Sequence, residues 1–184
     1  MNAVNPRTIS GCILAALILP MPAAAAEIPD AIAAPGEALV ATVHAQGAQV
    51  YECVLDPSGK LAWQFREPIA TLLVEGKTVG RHCAGPNWEW SDGSAIVAKV
   101  SGSASGATAA DIPLLKLEVV SRHGTGGLLS EVATIQRLNT KGGVAQGPCE
   151  TAGLLLSVPY SADYTFYKKV RASLLPDTPQ AQAR

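Results

Sequence analysis

Apolar and polar side chains alternate on both sides of a tight turn, and this pattern narrows the folds open to the chain more than any other. Tyr51, Cys53 and Leu55 share one face and Glu52 lies on the other, the period of two that belongs to a half-buried strand. Asp56-Pro57-Ser58-Gly59 follows with the residues of a type I turn: Asp first, Pro second and Gly last. Leu61, Trp63 and Phe65 then alternate with Ala62, Gln64 and Arg66, so residues 49–66 are expected to form a β-hairpin.

The same pattern recurs along the chain. A strand is expected at 38–44, separate from the one at 49–55. A second hairpin is expected from 69–74 through Glu75-Gly76-Lys77 into 78–83, and a third from Trp88 and Trp90 through Ser91-Asp92-Gly93-Ser94 into 96–100. Residues 101–110 are small and polar and are read as a flexible loop. Leu115, Leu117 and Val119 alternate with Lys116 and Glu118 in a half-buried strand that ends at His123-Gly124. Further strands are expected at 132–138, 154–158 and 164–167, with Asn139-Thr140-Lys141-Gly142-Gly143 as a turn and a long loop carrying Cys149. With 17 Gly and 13 Pro and no repeat of fixed period, long helices, propellers and solenoids are excluded. The expected class is all-β, an antiparallel sandwich or barrel.

Residues 1–26 read as an export signal. Arg7 precedes an apolar run from Ile9 to Leu19, and Ala24 and Ala26 stand in the A-x-A arrangement of a signal-peptidase site, which places the mature start at Glu27. That run falls short of the ~20 residues that span a bilayer. Ile9-Ser10-Gly11-Cys12 looks like a lipidation box, yet it precedes most of the apolar run that should come before it. Residues 27–36 are Pro- and Ala-rich and are expected to be an extended or poorly ordered lead-in, 37–171 one β-rich domain, and 172–184 a polar tail. The expected location is periplasmic or extracellular. Without Arg7, 13 basic side chains face 15 acidic ones with no run of like charge, which gives no footing for nucleic acid or anionic lipid. Cys53, Cys83 and Cys149 remain after cleavage. In an oxidising compartment two of them should pair, and any of three pairings is open on spacing.

Chemically useful side chains concentrate in residues 78–94, where His82, Trp88, Glu89, Trp90 and Asp92 stand together. A histidine and a carboxylate can act as general acid and base, and two indoles can stack a flat ligand. The same residues have structural uses: one indole fills the core, the other caps a sheet, and His82 bonds a backbone carbonyl. Trp88 and Trp90 should share a strand face with Glu89 opposite. Gln136, Arg137, Asn139 and Lys141 form a second polar group, which also reads as an outward strand face and a solvated hairpin end. Were Arg137 to face inward, it would need a carboxylate, and Glu89 is the first candidate. His44, His82 and His123 lie far apart without H-x-H or C-x-x-C spacing, so no metal is expected. Neither a G-x-S-x-G elbow nor a G-x-G-x-x-G between strand and helix occurs, which leaves no motif for a nucleophile or a nicotinamide; no cofactor is expected.

Four ordered segments, VYECVLDPSGKLAWQFREP (50–68), GKTVGRHCAGPNWEWSDGS (76–94), ATIQRLNTKGG (133–143) and VPYSADYTFYK (158–168), resemble the exported proteins grouped as domain-of-unknown-function family 3455. The resemblance runs from about Pro35 to Lys168. Some fungal relatives carry a malate dehydrogenase label, against which the missing dinucleotide fingerprint argues. The resemblance implies a Cys53–Cys149 pairing, with Cys83 the odd thiol where relatives tend to have an aromatic residue. It also implies shared use of His82, Gly85, Pro86, Trp88, Glu89, Gln136, Arg137, Asn139, Gly142 and Gly143, without assigning them a role.

Three functions compete at this level. The first is a domain that binds a small ligand or a cell-envelope component without turning it over, through Tyr51, His82, Trp88, Glu89, Gln136, Arg137 and Asn139. The second is a hydrolase-like enzyme using His82 with Glu89 or Asp92, and the third a structural or stress-related envelope protein.

Overall fold

In a computed structural model of the chain, the described residues are 27–170, so the export-signal and C-terminal-tail assignments lie outside them. Eight strands follow in chain order: β1 (Glu37–Leu55), β2 (Leu61–Val74), β3 (Lys77–Cys83), β4 (Asn87–Trp90), β5 (Ala95–Ala104), β6 (Leu114–His123), β7 (Thr134–Gly142) and β8 (Leu155–Lys169). Each pairs antiparallel with the next, and β8 returns to pair with β1, so the all-β fold is a closed up-and-down barrel. In such a meander the connections alternate between ends. The β1–β2, β3–β4, β5–β6 and β7–β8 connections therefore share one end, and the β2–β3, β4–β5 and β6–β7 connections share the other.

The expected hairpins are present, but several segments read as separate are continuous. The strands expected at 38–44 and 49–55 are one strand, β1. Gly47 joins them because β2 passes so close that a Cβ there would sit 2.0 Å from the Ile69 carbonyl oxygen and 2.6 Å from Ala70 Cα. The two closing strands are likewise one, β8: in the polar stretch Ser161-Ala162-Asp163 only Ala162 turns inward. The loop expected at 101–110 is strand as far as Ala104. Thr108 beyond it is tied by its backbone and hydroxyl to the Asp111 carboxylate at 3.0 and 2.8 Å. Asn139 and Thr140 belong to β7 as a bulge, since the register to β8 jumps between Leu138 and Lys141 and Asn139 takes a φ of 50°.

The lead-in also departs from expectation. Asp30–Ile32 form a single 3₁₀ turn laid on the outer face of β5 and β6, with Ile32 fully buried. Gly102 admits this approach, because a Cβ there would lie 2.0 Å from the Ala31 carbonyl oxygen. Gln136 Nε2 closes the contact by donating to the Ile32 carbonyl oxygen at 2.6 Å.

The core is the barrel interior. Val43 and Ala45 of β1, Leu72 of β2, Trp88 of β4, Ile96 and Ala98 of β5, Leu117 of β6, Ile135 of β7, and Ala162, Tyr164 and Phe166 of β8 point inward. A second 3₁₀ turn, Leu128–Glu131, lies at the end that carries the β6–β7 connection and adds Leu129, with Val132 just after it. Asp92 and Ser94 hold it there: Asp92 Oδ2 accepts from Leu128 N at 2.7 Å, and Leu129 N donates to Ser94 Oγ at 3.3 Å. Among the described residues no helix is long and apolar enough to cross a membrane.

Cys53 is bonded to Cys149, the pairing the resemblance implies, and Cys83 is free. The bond pins the long β7–β8 connection onto β1, where Cys53 and Gly153–Leu154 also exchange backbone hydrogen bonds. Closing a separation of 96 residues is worth about 4–5 kcal/mol by chain entropy. A non-reducing peptide map should show Cys53 linked to Cys149, with Cys83 alkylated after denaturation. The double variant Cys53→Ala/Cys149→Ala should lose about 2–5 kcal/mol in urea unfolding.

Candidate functional site

The interior is filled at the end closed by the second 3₁₀ turn and hollow at the other. A cup of about 490 Å³ opens there, lined by all eight strands. Gln49 and Tyr51 come from β1, Phe65, Arg66 and Pro68 from β2, His82 from β3, Trp88 from β4, Val100 from β5, Leu115 and Leu117 from β6, Arg137 from β7 and Tyr164 from β8. Gly85-Pro86 and Ile112-Pro113 from the connections complete the mouth.

The inward turn of each side chain follows from strand register. His82 lies opposite Trp88, and their rings stack with centroids 4.3 Å apart and planes 13° from parallel. Tyr164 meets both edge-on, at 5.1 Å from His82 and 5.4 Å from Trp88. Tyr51 lies opposite Phe65, with rings 5.8 Å apart in an edge contact at the rim. Arg137 sits between Leu115 on β6 and Tyr164 on β8, and both neighbours point into the cup.

Polar groups in the cup are incompletely paired. Arg137 Nε donates to the Pro113 carbonyl oxygen at 3.0 Å, and no carboxylate among the described residues pairs with its guanidinium. The other lining cation, Arg66, has Glu67 at 3.4 Å and Glu52 at 3.7 Å. Gln49 Nε2 and the Tyr164 hydroxyl, on side chains only 2% and 1% exposed, have no hydrogen-bond partner, and neither does the Tyr160 hydroxyl behind them. Tyr160 lies close to Gln49 and Tyr164, and Tyr164 close to Arg137, near enough to act on one another's ionisation without completing a bond. Burial raises the pKa of Tyr51, Tyr160 and Tyr164, and the charge on Arg137 opposes that rise at each. All three phenols are therefore neutral donors at physiological pH.

His82 is neutral as well. Its Nδ1 donates to the Asn87 carbonyl oxygen at 2.9 Å, which leaves the lone pair on Nε2. Burial above all, with the Arg137 charge adding to it and the Asn87 bond opposing it, brings its pKa down from 6.5 to about 4.

Of the seven residues expected to form a site, the fold brings four together: Tyr51, His82, Trp88 and Arg137. The other three face outward. Glu89 accepts from Arg81 Nε at 2.6 Å and from Asn87 Nδ2 at 3.1 Å on the outer face, because strand alternation opposes it to Trp88. It is therefore not the partner expected for Arg137, nor does it reach His82. Asp92 is committed to Ser94 and Leu128 at the far end of the barrel. Gln136 lies under the lead-in, where it also accepts from the Tyr167 hydroxyl at 2.9 Å. Asn139 Nδ2 donates to Asp163 Oδ2 at 2.8 Å on the outside. Gln49 and Tyr164 were missed. The signal for Tyr164 was present, since it alternates with Phe166 and so had to share its face. Among the described residues no group of three or more His, Cys, Asp or Glu is placed to hold a metal ion.

The neutral His82 makes stability pH-dependent with a definite sign. Above pH 6.5 the ring is neutral whether folded or unfolded, and its contribution is complete. As pH falls from 6.5 to about 4 the unfolded chain takes up a proton that the folded one refuses, and about 3 kcal/mol is lost. The melting temperature should fall over that interval, and His82→Phe, which keeps a ring against Trp88, should flatten this part of the profile.

No curated protein and no solved structure matches the chain. Residues 34–168 match the family model described as protein of unknown function (DUF3455), in agreement with the four segments that resemble it. The chain belongs to that family.

Proposed function

We propose that the barrel is a binding module that takes a small molecule into the cup and holds it there without turning it over. The observation that carries this reading is the combination of an apolar, aromatic-walled hollow with buried polar groups left unpaired. A cavity of about 490 Å³ lies within the range usual for ligand sites, roughly 300–1,000 Å³, and eight strands give a barrel wide enough to hold one small ligand. Native interiors satisfy nearly all buried polar groups, so donors left unpaired around a hollow point to a partner that is not part of the chain. The hydrolase-like alternative needs His82 beside a carboxylate. Glu89 and Asp92 are both engaged elsewhere, and His82 offers a stacked, neutral ring instead.

We further propose that the protein works outside the cytoplasm after cleavage before Glu27. The signal-like pattern of residues 1–26 supports this, and a Cys53–Cys149 disulfide fits an oxidising compartment. The mass of the exported protein should correspond to a chain starting at Glu27; a retained N-terminus would overturn this assignment.

Thermal unfolding of the mature protein against small metabolites and envelope glycans tests the binding role. A saturable rise of the melting temperature is expected with a ligand that fits the cup. Trp88→Ala is a poor control, because removing a fully buried indole costs about 3–5 kcal/mol on its own. Phe65→Ser is better: the ring is half exposed at the rim, so the variant should keep its fold and weaken the shift. No shift with any compound would favour a structural role.

A further inference from the structure

We propose that the occupant of the cup is a compact aromatic monocarboxylate, with its carboxylate on Arg137 and Tyr164 and its ring among Tyr51, His82 and Trp88. This inference rests on reading the barrel as a binding module, and it adds the chemical class of the ligand. Charge argues for an anion. Arg137 is the one lining cation without a carboxylate among the described residues, and no acidic side chain lines the cup. A guanidinium presents donors in a planar fork that matches the two oxygens of a carboxylate. The unpaired, deeply buried Tyr164 hydroxyl close to Arg137 supplies a further donor, and the Gln49 amide nitrogen is a second unpaired donor on a lining residue.

The walls argue for the rest of the molecule. A single unpaired cation in an otherwise apolar cup suits a monoanion, since a phosphate-like dianion would carry a second charge into apolar surroundings without compensation. The Tyr51–Phe65 pair at the rim offers faces and edges of the kind aromatic rings pack against, above a floor made by the stacked His82 and Trp88 rings and the edge of Tyr164. The cup is also closed at its inner end. Trp88 and Tyr164 border it from within, and beyond them Phe166, Ile135 and Leu129 fill the barrel, which leaves no channel for a long alkyl tail.

Three probes test the assignment by titration calorimetry at neutral pH: 2-naphthoate, its neutral isostere 2-naphthamide, and decanoate. The wild type should bind naphthoate at least about tenfold more tightly than its neutral isostere naphthamide, the value of a charge-assisted hydrogen bond, and more tightly than decanoate, which carries the same carboxylate without a ring to pack against the aromatic walls. Arg137→Gln should weaken naphthoate by about tenfold to a hundredfold and leave naphthamide little changed. Tyr164→Phe guards against a folding defect in that variant. It keeps the ring and removes a buried hydroxyl without a partner, so it should weaken naphthoate several-fold while the melting temperature of the free protein stays level or rises. A purely structural role for Tyr164 would lower stability instead. Equal binding of naphthoate and naphthamide would overturn the anion assignment and leave the binding role standing. Decanoate binding as well as naphthoate would overturn the aromatic assignment. No binding of any of the three would overturn the inference altogether, and the broader melting panel would then decide separately on the binding role.

Discussion

Closure of the sheet by β8 on β1 is the constraint on which the rest of the structure depends. The ladder runs from Glu37 opposite Lys169 to Glu52 opposite Leu155, and it turns a meander of hairpins into a barrel without exposed sheet edges. Once the ring is closed, alternation along every strand becomes a division between inside and outside. It sets small residues against each other where the barrel is tight, as with Ala45 opposite Ala162, and faces Tyr164 to Arg137 where it opens. The disulfide and the Asp92 and Asp111 contacts then secure the connections at the two ends. Asp111 accepts from Gly142 N at 2.6 Å and from Thr108, and so ties the long β5–β6 connection to β7 beside the cup.

Buried polar atoms without a partner gather around the cup, at Gln49, Trp88, Tyr160 and Tyr164, although Glu37, Trp63, Asn87, Thr140 and Thr165 each have one as well. Outside, several charged and polar side chains pair: Arg81 with Glu89, His44 and Asn139 with Asp163, Lys168 with Glu131. Such exposed pairs, screened by water and salt, are individually worth little to stability. Inside, Gln49, Tyr160 and Tyr164 have been taken from water without full replacement, which costs stability wherever it occurs. Such a cost is intelligible at a binding site, where a ligand restores the missing bonds.

Local chemistry was legible in the sequence. The Asp56-Pro57-Ser58-Gly59 turn forms as its residues require, with Asp56 Oδ1 accepting from Ser58 N at 2.8 Å and Lys60 N at 2.9 Å. Trp88 and Glu89 fall on opposite faces, as a period of two demands. Where the reading failed, a long-range contact overrode a local signal. Gly47 and Ser161-Ala162-Asp163 look like strand breaks, yet each lies in a strand held on both sides by neighbours distant in sequence. Pro- and Ala-rich residues near the start carry no periodicity, and their order comes from docking Ile32 on a surface assembled by β5, β6 and β7. The candidate site divided for the same reason. Gln136 and Arg137 are adjacent and equally polar, but one supports the lead-in and the other enters the cup.

The sequence by itself determined the strands, most of their turns, and which side chains share a face, because these depend on backbone geometry over a few residues. Only the tertiary structure decided which face is inside, that the sheet closes, and that a guanidinium, an amide and a phenol from β1, β7 and β8 converge on one hollow. The physical reason is that alternation has no sign: a period of two is the same pattern whether its apolar or its polar set points inward. The choice is made by pairings between residues more than a hundred positions apart, such as Val43 with Tyr164, which no local pattern records.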